Sequence, residues 1–260
     1  FRRVLFRSNQ YVLDFSRQEV VDAIYTMTAK ILKDSQISYI KWDMNRYITE
    51  CFSTAYPPQQ QGEIFHRYIL GLYQLYERLT SAFPHVLFES CASGGGRFDP
   101  GMLYYAPQCW TSDDTDAVER MKIQYGTSYC YPLSSMGAHV SISPNHQLFR
   151  STSLKTRADV AYFGTFGYEL DLGRLSPEEL EQIRAQTAFY KTYRTLFAAG
   201  DFYRLQSPFD SNFCAWMVVS QDQRQAVVAY YKILNDVNCE FRRLPLKGLK
   251  GSFLYQVSGD

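Results

Sequence analysis

A chain of 260 residues is long enough for one large domain, or for a domain with a smaller module attached. Its formal charge of +1 implies no polybasic or acidic partner, so neither nucleic acid nor an anionic membrane surface is expected as a ligand. No apolar run approaches the roughly 18 residues of a membrane span.

The first eight residues, Phe1 to Ser8, look foreign to the rest. They resemble the translation of a sequencing adapter, so the natural sequence is expected to begin near Asn9 and they are set aside. Tyr11 to Phe15 is expected as a short strand. Ser16 and Glu19 fit a Ser-x-x-Glu capping box, opening a helix to about Lys33 with Val20, Ile24, Met27 and Ile31 on its apolar face. The apolar run Ile37 to Ile40 predicts a buried strand that turns polar at Lys41, Asp43 and Asn45. A polar loop from about Glu50 to Gln61 leads into a helix over 62–83, with Phe65, Tyr68, Ile69, Tyr73 and Leu79 facing inward. His85 to Cys91 is the next strand, running into Ser93-Gly94-Gly95-Gly96-Arg97.

Pro107 to Thr111 predicts a short strand that ends at Ser112-Asp113-Asp114. A helix over 117–125, a strand end over 133–138, a helix over 148–162 and a strand over 163–170 follow. Ser176 and Pro177 then mark a helix start, as cap and first-turn proline. After about Ala199 the rhythm changes. Segments 214–220, 226–231 and 253–257 are β-rich with no helix between them, and Gln221-Asp222-Gln223 marks a hairpin turn.

About six strands alternating with helices predict an α/β fold with a parallel sheet. At this scale it is a partial (β/α)8 TIM barrel lacking its first two units, over 9–199. A small antiparallel β-sheet domain, cut short, is expected over 200–260. A doubly wound sheet is the alternative. Against it, no Gly-x-Gly-x-x-Gly opens a helix, and Gly94-Gly95-Gly96 leads into Arg97-Phe98-Asp99-Pro100, which shows no helical pattern. The six cysteines, Cys51, Cys91, Cys109, Cys130, Cys214 and Cys239, form no Cys-x-x-Cys pair and are too dispersed for a disulfide scaffold; free thiols in a reducing compartment are expected. His139 and His146 match no zinc-ligand spacing, so no metal site is expected.

Strand geometry sends alternate side chains to one face, so Lys41, Asp43 and Asn45 project together from a strand end. In a parallel α/β protein that end is where chemistry is done. The simpler reading is a Lys41–Asp43 ion pair closing the strand, with Trp42 in the core. A second strand end carries Asp113, and on a barrel the two acids would converge over one mouth. Two carboxyls across a pocket suit glycoside hydrolysis, lying about 5–5.5 Å apart in a retaining enzyme. One must be ionised and the other protonated. Lys41 suits the first state at Asp43; Trp110 and the apolar strand behind Asp113 suit the second. Acids are also common helix caps, and of Asp113, Asp114 and Asp116 the last best fits that role. Ser90 to Arg97 has three readings: a Cys91 nucleophile, a backbone cradle for phosphate, or a close approach to a sugar with Cys91 on the wall. A tight turn with positive φ fits all three.

Taken in order, Lys41-Trp42-Asp43-Met44-Asn45-Arg46, then Ser90-Cys91-Ala92-Ser93-Gly94-Gly95-Gly96-Arg97-Phe98-Asp99-Pro100-Gly101, then Trp110-Thr111-Ser112-Asp113-Asp114-Thr115-Asp116-Ala117, resemble the α-galactosidases of glycoside hydrolase family 36. The resemblance covers the chain from Asn9 onward. It implies a retaining, exo-acting enzyme that releases terminal α-linked galactose, as from melibiose or raffinose, without a cofactor. Asp43 matches the nucleophile and Asp113 the acid/base. Lys41 and Asn45 match binders of sugar hydroxyls, and Cys91 and Gly94 match the wall around the galactose. Bacterial members are commonly cytoplasmic tetramers, so a homo-oligomeric parent in the cytoplasm is implied. The family also has a β-sandwich domain and early barrel strands, with paired aspartates and a tryptophan, ahead of the part seen here. This chain is therefore expected to hold both carboxyls without the whole pocket, and to be inactive alone. A related α-glycosidase or transglycosidase, such as an α-N-acetylgalactosaminidase, shares the chemistry. A non-catalytic carbohydrate-binding protein is allowed by the 16% aromatic content.

Overall fold

The computed structural model describes residues 11–49, 51–238 and 241–259, so the adapter-like segment and Cys239 lie outside the described residues. The chain gathers into two compact units, dividing between Trp110 and Thr111. Each unit has its own apolar core.

The first unit is built on three parallel strands in the order β1 (Tyr39–Asp43), β2 (Leu87–Cys91) and β3 (Gln108–Cys109). Parallel neighbours need crossover connections, which α2 (Ile64–Ala82) and α3 (Pro100–Tyr105) supply; α1 (Gln18–Asp34) precedes β1. The core joins Phe15, Leu72, Leu75, Tyr76, Phe88 and Met102. Ile40 and Trp42 of β1 pack against this core, while Tyr39, Lys41 and Asp43 stay exposed, the alternation that a strand with one polar face demands.

Five expectations change here. Residues 11–15 form no strand; Phe15 tucks against α2 where Gly71 leaves room, since a Cβ there would lie 1.8 Å from the Phe15 carbonyl oxygen. The Ser16 capping box is absent because the Ser16 hydroxyl donates to Asp14 instead, and α1 starts after Arg17. The inward stripe of α1 is Val21, Ala29 and Leu32, with Met27 and Ile31 more than half exposed. In α2, Leu72, Leu75 and Tyr76 face the core with Tyr68 and Leu79, whereas Phe65 is exposed. Apolar residues wrap a wide arc of both helices. Periodicity thus leaves the inward face open by about one residue, or ~100°, and packing of α1 on α2 selects it. Finally, α3 arises where no helical pattern was expected. Asp99 caps it by accepting from the Met102 N–H at 2.8 Å, and Pro100 occupies the first turn.

The second unit begins with α4 (Ala117–Thr127) and pairs β4 (Gly137–Ser141) in parallel with β5 (Thr165–Glu169), with α5 (Leu154–Ala161) between them. The expected strand over 133–138 falls later because Leu133–Ser135 forms a 3-10 turn. α5 starts late because the Asn145 side chain holds the 147 and 148 backbone N–H groups in a loop. α6 (Pro177–Ala199) carries the full capping box of Ser176 and Glu179. An antiparallel sheet follows in the order β6 (Asp201–Gln206), β7 (Phe213–Val219) and β8 (Ala226–Lys232). Its central strand β7 is buried along its whole length around Trp216. β6 was not anticipated, and 253–257 is not a strand. Among the described residues there are thus five parallel strands, and no helix is long and apolar enough to cross a membrane. Cys51, Cys91, Cys109, Cys130 and Cys214 are free thiols.

Candidate active site

The site starts from the pairing of β1 with β2, which sets Lys41 opposite Glu89 and Asp43 opposite Cys91. Just past the strand, the Asn45 amide donates to Asp43 Oδ2 at 2.7 Å. The amide oxygen of Asn45 in turn accepts from the Ser93 backbone N–H at 3.1 Å. Asn45 is therefore a clamp: anchored to the turn after β2, it fixes one oxygen of the Asp43 carboxyl. The ion pair of Lys41 is with Glu89, Nζ to Oε1 at 3.5 Å, and not the Lys41–Asp43 pair allowed by the sequence. The ammonium also lies over the Trp110 ring, 4.5 Å from its centroid. Glu89 faces Lys41 directly across the ladder, whereas Asp43 lies further along the same strand.

Cys91 is 3% exposed and sits beside Asp43 and the Gly94 backbone. Burial pushes its thiol up to about 12, the Asp43 carboxyl adds to the shift, and the Gly94 backbone and Lys41 oppose it. A thiol held protonated is a poor nucleophile, which counts against that reading of Cys91. The glycine run is a tight turn, with Ser93 at φ +51° and Gly94 at φ +83°, closed by the Ala92 N–H donating to the Gly94 carbonyl at 2.8 Å. Arg97 reaches back to the Met44 and Arg46 carbonyls, tying the loop after β1 to the turn after β2. A separate cavity of about 320 Å³, lined by Tyr47, Phe65, Tyr68, Arg97 and Asp99 among others, contains none of the predicted site residues.

In the second unit, Asp113 stands half-buried in the loop between Thr111 and Asp116. Its neighbours build that loop. The Ser112 hydroxyl accepts from the Asp114 N–H at 3.1 Å, and Asp114 Oδ1 accepts from the Asp116 N–H at 3.0 Å. Asp116 caps α4 through the Val118 and Glu119 N–H groups and pairs with Arg150, which bears out its expected role as cap. Thr115 is held on both sides: its carbonyl accepts from the Ser141 hydroxyl at 3.0 Å and its hydroxyl from the Asn145 amide at 3.2 Å.

Lys41, Asp43, Asn45, Cys91 and Gly94 thus gather at the ends of β1 and β2, while Asp113 belongs to the second unit. Sequence reasoning missed Glu89, Ser93 and Arg97 as supports. The available signal for Glu89 was an acid inside the apolar run 85–91, on the same strand face as Cys91.

The melibiase family model matches residues 2–200, and that of the glycosyl hydrolase family 36 C-terminal domain matches residues 213–260. Alpha-galactosidase AgaA of Geobacillus stearothermophilus is 55% identical over 251 residues, which are 96% of this chain and 34% of that protein. Alpha-galactosidase 1 of Pediococcus pentosaceus is 51% identical over 248 residues, 95% of this chain and 34% of that protein. A crystal structure of a Geobacillus stearothermophilus AgaA variant in complex with raffinose matches with a TM-score of 0.90 and 54% identity, covering 94% of this chain and 35% of that one. The chain spans only 34% of the length of the two curated relatives. The fold is a partial (β/α)8 barrel followed by a small antiparallel sheet, as the strand and helix rhythm indicates.

Proposed function

The chain belongs to the melibiase family of glycosyl hydrolases, and on that premise we propose that it carries both catalytic carboxyls of a retaining α-galactosidase. The observation that carries this reading is the clamped Asp43 carboxyl on the polar face of β1, fixed by Asn45 and backed by the buried Cys91 thiol. In the first step a carboxylate oxygen of Asp43 attacks the anomeric carbon of a terminal α-galactosyl unit. Asp113 gives its proton to the departing glycosidic oxygen. In the second step Asp113, now a carboxylate, takes a proton from water as the water attacks the galactosyl ester and Asp43 leaves. Lys41 and Asn45 donate to sugar hydroxyls, and Cys91 and Gly94 wall the ring. Raffinose, bound by the AgaA variant, is the type of substrate expected. The same reading takes the parent enzyme as a homotetramer in the bacterial cytoplasm, which light scattering and cell fractionation test.

The decisive experiment is trapping. The full-length enzyme carrying this sequence is treated with an activated 2-fluoro galactoside and digested. A fluorogalactosyl mass on the peptide containing Asp43 is the expected result. Labelling of another acid, or no labelling of an enzyme that otherwise binds galactose, overturns the assignment.

A further inference from the structure

Glu89 is 3% exposed, yet no step above uses it. Its Oε2 accepts from the Tyr39 hydroxyl and from the Gln108 amide at 3.4 Å. Its Oε1 takes no hydrogen bond among the described residues and faces the Lys41 ammonium at 3.5 Å. A buried carboxylate is kept in a fold only with partners, and a buried oxygen aimed at a cation and nothing else points to that cation as its purpose. Lys41 in turn is held between this oxygen and the Trp110 ring.

We propose that Glu89 is a positioning residue that holds Lys41 away from Asp43. The argument rests on the nucleophile reading of Asp43 given above. Lys41 and Asp43 share one face of β1, two residues apart, so a long flexible lysine can reach the Asp43 carboxyl. An ammonium seated on that carboxyl would take up the oxygen that must attack. Glu89, directly opposite Lys41 in the ladder, competes for the same cation from the neighbouring strand. With Lys41 drawn onto Glu89 and Trp110, the Asp43 carboxyl is left to the neutral Asn45 amide and Cys91 thiol, with no ammonium seated on it. An ammonium has three donors, and the Glu89 contact is an ion pair at 3.5 Å and not a hydrogen bond, so they can serve sugar hydroxyls. Tyr39 completes the arrangement by fixing the rotamer of Glu89 through its phenol.

The test uses the full-length enzyme carrying this sequence, with two readouts. In the first, kcat and KM for a nitrophenyl α-galactoside are measured for Glu89→Gln, Lys41→Met and both together. Misplacing a reacting or positioning group costs about 10²-fold, so each single change is expected to lower kcat/KM by about that factor. The double variant is expected to match Lys41→Met, because Glu89 acts only through Lys41. In the second, the rate at which an amine-acylating reagent labels Lys41 is followed by mass spectrometry, without substrate. Labelling is expected to speed up several-fold in Glu89→Gln and, less strongly, in Tyr39→Phe, which leaves the buried carboxylate in place should the first variant fold poorly. Multiplicative losses in the double variant, or unchanged Lys41 labelling in both Glu89→Gln and Tyr39→Phe, overturn the proposal. An unmutated enzyme that cleaves no galactoside refutes the functional reading instead, and the labelling then decides the position of Lys41 by itself.

Discussion

The two acids assigned to catalysis are held in different ways. Asp43 ends a regular strand, and its orientation follows from the pleat of β1, one amide clamp and a neighbouring thiol. Asp113 sits on a loop with no regular geometry, shaped by Ser112, Asp114 and Asp116 and pinned through Thr115 by Ser141 and Asn145. The difference suits the roles proposed for them. A nucleophile must meet one carbon along one line and gains from a rigid strand. An acid/base must give and later retrieve a proton from different oxygens, and a braced loop permits that.

The largest effect that would test this contrast is at the strand. If Asp43 is the nucleophile as proposed, Asp43→Ala in the full-length enzyme is expected to lower kcat by at least about 10⁴-fold on every α-galactoside, because the ester-forming group is gone. Asp113→Ala should cost about 10²–10⁴-fold on raffinose but much less on a nitrophenyl galactoside, whose leaving group needs little protonation. Equal losses on the two substrates would break the acid/base assignment. A smaller effect is expected at the clamp. Asn45→Ala removes the hydrogen bond to the Asp43 carboxyl, about 1.5–3 kcal/mol, and should lower kcat by about 10- to 150-fold.

On the loop side, Arg150→Ala strips the partner from the buried Asp116 carboxyl. Because Arg150 is itself partly exposed, urea unfolding should show a loss near the low end of the range, about 1.5 kcal/mol. The smallest effect concerns the thiols. Burial lifts Cys91 to about 12, Cys109 to about 11 and Cys214 to about 12, from an ordinary 9.0. The fold keeps these protons where the unfolded chain has released them, so stability is complete below pH 9 and declines as pH rises from 9 toward 11 and 12. Urea midpoints measured across that window should fall. At pH 8, iodoacetamide should alkylate the exposed Cys130 before Cys91, and the reverse order would show that Cys91 is not shielded as described.

Much of this was legible in the chain. The polar alternation of Lys41, Asp43 and Asn45 announced one shared face because a strand has a period of two. Asp116 and Ser176 announced helix starts because orphan N–H groups demand a nearby oxygen. The turn at Gly94 followed from the only residue type that takes positive φ without cost, while the positive φ of the neighbouring Ser93 was not legible. Tertiary structure decided the rest. Which stripe of α1 and α2 faces inward depends on how two widely apolar helices meet. The spacing of residues along one strand tells which side chains share a face, but register decides what stands opposite them. That is why the ion pair of Lys41 with Glu89 could not be read from either segment alone: it is set by the alignment of two distant strands, which only packing fixes.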